Sequence, residues 1–303
     1  MTVMKIRSTV IDNTFAEAFH MVAARVLITG ATRQWALAAA RAMTGFATSV
    51  IGCKCESGIE RELRPDETPD RRPGFSTLLF AMDKASLAKR LVERIGQCVM
   101  TCPTTACYSG LETGKSVAVG GQLRFFGDGF QIAKRLGNRR YWRIPVMDGE
   151  FLVDDRFCIQ DAVGGGNIII LGKNSKSTLA AASAAVKAMR LNRDMILPFP
   201  DGVVRSGSKV GSRYKSLIAS TNDAFCPTLR AVAPRTSLDA GINCVLEIVV
   251  DGLSEVAIRK TMVDGIQAAA KPGIVRISAG NYGGSLGQYR IDLHGLLAES
   301  SIK

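Results

Sequence analysis

A chain of 303 residues, 47% hydrophobic and 22% charged, has enough surface to bury for one large domain or two modest ones. Its net charge of +12, from 39 Lys and Arg against 27 Asp and Glu, suits polyanions such as nucleic acid, phosphorylated or polyglutamylated coenzymes, or an acidic subunit, and selects none of them. No apolar run approaches the roughly 18 to 20 residues of a spanning helix, and Lys5, Arg7, Asp12 and Asn13 interrupt any leader-like start, so a cytoplasmic protein that does not enter membranes is expected.

In chain order, AARVLITG (Ala23 to Gly30) reads as a strand and RQWALAAARAM as the helix after it. ATSVIG reads as a second strand. FSTLLF then leads into DKASLAKRLVERIG, where Leu87, Leu91 and Ile95 share one helical face, Asp83 is the N-cap and Gly96 the stop. GQLRFFGDGF, RYWRIPVM and GEFLVDD read as antiparallel strands joined by Gly/Asp turns. The second half repeats the rhythm. GGGNIIILG is a buried strand, STLAAASAAVKAM a helix, DMILPFPDG a short strand, NCVLEIVVDG a strand, SEVAIRKTMVDGIQAAA a helix capped by Ser254, and GIVRISAG the returning strand. Paired β-α-β units in each half predict an α+β fold of two ferredoxin-like (split β-α-β) lobes related by duplication, residues 1–147 and 148–303. A doubly wound nucleotide-binding sheet competes, but no GxGxxG turn links a strand to a helix.

The eight cysteines show no CxxC spacing and only two histidines, His20 and His294, accompany them. Reduced thiols packed as small hydrophobes are expected, with no metal site. Ligand contact is expected where glycine and small polar residues gather: Gly164 to Asn167, Ser206 to Gly211 with Ser208 and Lys209, Ser220-Thr221-Asn222, and Gly280 to Gly284 with Asn281, Tyr282 and Gly283. Each is equally readable as an ordinary turn. Glu247 is the sharpest single residue. Alternation places it with Val245 and Val249 on one face of an apolar strand, where a carboxylate is costly unless paired, hydrogen-bonded or protonated. One reading is a structural ion pair with Arg or Lys; the other is a carboxyl of raised pKa available for proton transfer. Gln97, Thr101 and Thr104, around Pro103, form a second polar group whose hydroxyls can also simply satisfy a turn.

The segments DNTFAEAF, ARVLIT, TGFATSVIGC, ETPDRRPG, ERIGQCVMTCPTTA, FFGDGF, GGGNIIIL, PFPDGVVRSGSKVG, ASTNDAFCPT, VLEIVVDGL and ISAGNYGGSLGQY closely resemble the formylmethanofuran:tetrahydromethanopterin formyltransferase family, in its order and over nearly the whole chain. The resemblance implies formyl transfer between methanofuran and tetrahydromethanopterin as co-substrates, with no permanently bound cofactor. It assigns proton transfer to Glu247 and a coenzyme cleft to the SGSKVG, ASTN and GNYGG loops. The basic charge resembles the bacterial form, implying other subunits of a formyltransferase/hydrolase complex, a homo-oligomer, or both, in formaldehyde oxidation. Two rivals remain. An RNA-binding sheet lacks the exposed aromatics that base stacking needs, and no nucleic-acid partner is expected. A scaffold that has lost turnover is opposed by Glu247 and the glycine loops.

Overall fold

The computed structural model describes residues 3–300. The chain forms two compact units, Met21–Ala162 and Met1–His20 with Val163–Lys303. It passes between them within two long strands, β1 (Phe15–Thr29) and β7 (Arg156–Gly172). The fold is mixed α+β.

In the unit Met21–Ala162, β1 is followed by helix α1 (Arg33–Thr44), β2 (Glu56–Leu63), β3 (Gly74–Ala81), helix α2 (Lys84–Arg94) and β4 (Ala106–Ser109). β1 pairs antiparallel with β3 on one side and β4 on the other, and β2 lies outside β3. Two further strands, β5 (Arg139–Val146) and β6 (Gly149–Asp154), extend the sheet beyond β4. α1 buries Ala36, Ala39, Ala40 and Met43, a spacing that turns one helical stripe onto the sheet. The Asp83 cap is present, accepting from the Ser86 N–H at 2.8 Å. Gly96 does not end the helix. α2 continues as a wider turn through Ile95–Val99, and a Cβ at Gly96 would meet Leu123 Cδ2 at 2.9 Å, so glycine there admits a neighbour.

Two other expectations fail in this unit. GQLRFFGDGF is not a strand but helical, through Gly120–Leu123 and Arg124–Gly127. Gly121 donates to the Asp155 carbonyl, and the Arg124 guanidinium stacks 4.7 Å from both the Phe125 and Trp142 rings. ATSVIG is likewise a helical turn, Val50–Cys53, because the Ser49 hydroxyl accepts from the Ile51 N–H. Cys55 and Cys107 are fully buried, and all eight thiols are free.

The other unit repeats the order. β7 leads to helix α3 (Ser175–Met189), β8 (Met195–Ile196), β9 (Cys244–Gly252), helix α4 (Glu255–Ala269) and β10 (Ile274–Ser278), followed by β11 (Tyr289–Asp292) and helix α5 (Leu293–Ser300). β7 lies between β9 and β10, and β8 flanks β9. Ser254 caps α4, as expected, at 3.2 Å from the Ala257 N–H. α3 and α4 pack closely because a Cβ at Gly265 would collide with Met189 Cε at 2.1 Å. Ile168, Ile170, Ile248, Val250, Ile258 and Met262 are fully buried between sheet and helices, each contributing about 1.5–3 kcal/mol.

The division expected at residues 147 and 148 does not follow these units. Thr9–Ile11 pairs parallel with β10, and Phe15–Ala18 pairs with β11, so the first twenty residues complete the sheet of the C-terminal unit. No linker interrupts β7 on the other side.

Candidate active site

Glu247 sits in β9 opposite Ile169 of β7. Its neighbours Leu246, Ile248 and Val250 face the helices, while Val245 joins Ile169, Leu171, Leu238 and Ile242 on the other face. Glu247 shares that second face. Its backbone exchanges two hydrogen bonds with Val204, at 2.9 and 2.7 Å, which draws the loop after Val204 over the strand. The carboxyl group opens on a cleft of about 50 Å³ lined by Val204, Arg205, Gly207, Thr221, Asn222, Phe225 and Cys226. Among the described residues it has no hydrogen-bond or ion-pair partner, so the structural ion pair is not formed. Part of the residue meets the cleft, but the carboxyl is largely withdrawn from water, and burial pushes its pKa up to about 7.

A second cleft of about 530 Å³ shares Asn222 and Phe225 with the first and is further lined by Ser208, Lys209, Arg276, Asn281 and Tyr282. The strand Ser208–Val210 pairs with Ala219–Thr221, so the expected SGSKVG and ASTN loops form one hairpin. Lys209 bonds Asp223, the Ser220 hydroxyl donates to the Gly211 carbonyl at 2.7 Å, and the Asn222 N–H donates to Gly207 at 2.8 Å. Ser206 and Ser220 line neither cleft.

Nor does Asn167. Its amide donates to the Gly280 carbonyl at 3.1 Å and accepts from the Gly280 N–H at 2.5 Å, a latch on the GNYGG loop. Gly283 also lies off both clefts, turning the loop with φ of 74°. The loop's backbone donors serve Glu17, which is 1% exposed. One oxygen accepts from Tyr282 and Gly284 at 2.7 and 2.9 Å, the other from Leu286 and Gly287 at 2.6 and 2.5 Å. Burial raises the carboxyl's pKa, but the four N–H groups outweigh it and hold Glu17 below the usual carboxylate range. Sequence reasoning missed Glu17. The one signal was alternation in FAEAF, which puts Phe15, Glu17 and Phe19 on one face.

Gln97, Thr101 and Thr104 belong to the unit Met21–Ala162. Gln97 and Thr101 line a groove there with Met100, Phe126 and Met147. Thr101 donates to the Gln97 carbonyl at 2.8 Å, and Thr104, at φ 65°, receives the Ala31 N–H and gives its own to Asp148. The Thr101 hydroxyl thus satisfies its own turn, and that of Thr104 a backbone group 73 residues away.

The family model for formylmethanofuran-tetrahydromethanopterin formyltransferase matches residues 4–146, and that for its proximal lobe matches residues 149–296. The chain belongs to this formyltransferase family. It is a transferase of one-carbon metabolism, and its family reaction is formyl transfer between formylmethanofuran and tetrahydromethanopterin. The formylmethanofuran–tetrahydromethanopterin formyltransferase of Methylococcus capsulatus is 59% identical over 95% of this chain and 98% of that protein. A component of the formyltransferase/hydrolase complex of Methylorubrum extorquens is 50% identical, over 95% of each chain. A crystal structure of that organism's formyltransferase/hydrolase complex with methylofuran superposes with a TM-score of 0.95, covering 98% of this chain and 99% of that one at 48% identity. Among the described residues of the enzyme no helix is long and apolar enough to cross a membrane.

Proposed function

We propose that the enzyme moves the formyl group directly between N5 of tetrahydromethanopterin and the amine of methanofuran, with Glu247 carrying a proton from one nitrogen to the other. The supporting observation is a buried carboxyl with no hydrogen-bond or ion-pair partner among the described residues, at the wall of a small cleft that adjoins a larger polar one. Attack of either amine on the formyl carbon leaves positive charge on the attacking nitrogen and negative charge on oxygen. The carboxylate takes the proton from the first nitrogen. The acid then gives it to the departing nitrogen as the C–N bond breaks, and the carboxylate is restored. A pKa near the working pH serves both transfers. Alignment of the two coenzymes contributes about 7–11 kcal/mol. The Asn222 side chain, common to both clefts, is one donor placed for the developing oxyanion, a role worth about 3–4 kcal/mol. The coenzymes are co-substrates, and no bound cofactor takes part.

Glu247→Gln preserves shape but cannot carry the proton. Its kcat should fall by roughly 100-fold or more while KM changes little; a kcat within threefold of wild type defeats this role.

The remaining site assignments follow the coenzyme cleft. Ser208, Lys209, Thr221, Asn222, Asn281 and Tyr282 contact the coenzymes directly; Ser206, Ser220, Asn167 and Gly283 shape the loops that do. We also read both units as ferredoxin-like lobes related by duplication, since each orders its four strands fourth, first, third, second.

As the Methylorubrum relative is one component of a formyltransferase/hydrolase complex, we infer that this enzyme works in the cytoplasm with other subunits, or as a homo-oligomer, in formaldehyde oxidation. Release of formate belongs to another component of that assembly. The purified chain should exchange formyl groups yet form no free formate, and steady formate production refutes that division. Its +12 charge serves the acidic groups of the coenzymes, so KM should rise steeply with salt.

A further inference from the structure

The loop from Gly280 to Gly287 is glycine-rich, which ordinarily signals a backbone cradle for an anionic ligand. Here that cradle is already filled. The amides of Tyr282, Gly284, Leu286 and Gly287 converge on Glu17. The Gly280 amide goes to Asn167 and that of Gly283 to the Asn281 side chain. Asn281 is tied in turn to the Thr14 hydroxyl and the Phe15 carbonyl, at 3.2 and 3.1 Å. A Cβ at Gly287 would lie 2.6 Å from Glu17 Cγ, so the backbone closes directly on that side chain. With the Asn281 side chain tied back in this way, the uncommitted polar side chain that the loop brings to the 530 Å³ cleft is Tyr282, whose ring also packs against Phe19 with centroids 6.1 Å apart.

We propose that Glu17 is a positioning residue and Tyr282 a catalytic one. The four-donor cage around Glu17 fixes Tyr282 on the cleft wall, and its phenol O–H donates a hydrogen bond to the formyl oxygen as the tetrahedral intermediate forms. This rests on the Glu247 reading above and deepens it. No proton is transferred by Tyr282; the phenol stabilises charge that Glu247, moving a proton between nitrogens, leaves on oxygen. Burial first, then the negative charges of Glu247 and Glu17, push the phenol's pKa up, so it remains a neutral donor throughout the working range. A preorganised donor costs no reorganisation when charge develops, and a loop with six of its eight amides engaged provides that rigidity.

The test is a double-mutant cycle on the full-length chain, assaying formyl transfer with both coenzymes. Tyr282→Phe keeps the ring and removes the donor. Its kcat should fall on the order of 10- to 100-fold with KM changed by less than about threefold. Glu17→Gln replaces one acceptor oxygen with an N–H group facing backbone donors, and kcat should fall about tenfold. In the Tyr282→Phe background, Glu17→Gln should cost little more. Wild-type kcat in Tyr282→Phe overturns the proposal. So does a Glu17→Gln loss of equal size in both backgrounds, because Glu17 then acts through something other than Tyr282. Should Glu17→Gln not fold, Gly284→Ala takes its place in the cycle, straining the same cage where φ is 76°. Glu247→Gln assayed alongside separates the two readings. High kcat in that variant removes the proton shuttle, whereas failure here leaves Tyr282→Phe active and Glu247→Gln inactive.

Discussion

Two glutamates on strands of the same compact unit have opposite surroundings. Glu17 is more completely buried, yet four N–H groups satisfy its oxygens and keep it ionised. Glu247 keeps contact with a cleft, yet among the described residues no donor bonds its acid group, and burial holds it near pKa 7. Burial is unfavourable for both carboxylates, and the presence of donors decides which remains charged. The satisfied one is suited to holding a loop in place. The unsatisfied one is suited to exchanging a proton.

The comparison breaks most visibly if its satisfied member is emptied. Glu17→Leu should leave four amides without an acceptor and lower stability by about 4 kcal/mol or more, read as the shift in urea midpoint; a loss under about 1 kcal/mol means water replaces the carboxylate freely. Next comes the unsatisfied member. Because folding raises the Glu247 pKa from 4.5 to about 7, the native state binds the proton more tightly than the unfolded chain. Stability from this group is full below about pH 4.5 and falls as pH rises through 7. Glu247→Gln should thus gain up to about 3 kcal/mol over wild type at pH 8 and nothing at pH 4; equal stability of the two proteins at pH 8 contradicts the raised pKa.

Glu17 has the opposite sign. Its depressed pKa gives stability that is present above the unfolded value of 4.5 and lost as pH falls below it, so Glu17→Gln should flatten the acid limb of unfolding. The smallest effect sharpens the Glu247 side. A Cβ at Gly207 would stand 3.3 Å from Glu247 Oε2. Gly207→Ala should then desolvate the carboxyl further and move the pH–rate midpoint upward by a few tenths of a unit, whereas a downward shift argues that the cleft opened instead.

Much of this pattern is readable in the sequence itself. The Asp83 and Ser254 caps, the alternating strand–helix rhythm and the isolation of Glu247 among valines follow from local spacing, which a sequence displays directly. What escapes such reading depends on distant partners. Nothing in GNYGGSLG reveals that its amides are occupied, because their acceptor lies 265 residues away from Tyr282. Asn167 resembles a ligand contact for the same reason, its partner Gly280 being 113 residues off. GQLRFFGDGF misleads because apolar alternation also fits a helical turn packed around an arginine.

The pairing of Thr9–Ile11 with β10 and of Phe15–Ala18 with β11 has a bearing on how the protein is made. Translation runs from the amino end, so these strands leave the ribosome long before the segments they join exist. The intervening Met21–Ala162 can assemble in the meantime, but an apolar ribbon carrying Phe15 and Phe19 must wait unpaired until β10 and β11 have been made. Such a ribbon is a ready target for chaperones, and for aggregation when they are scarce.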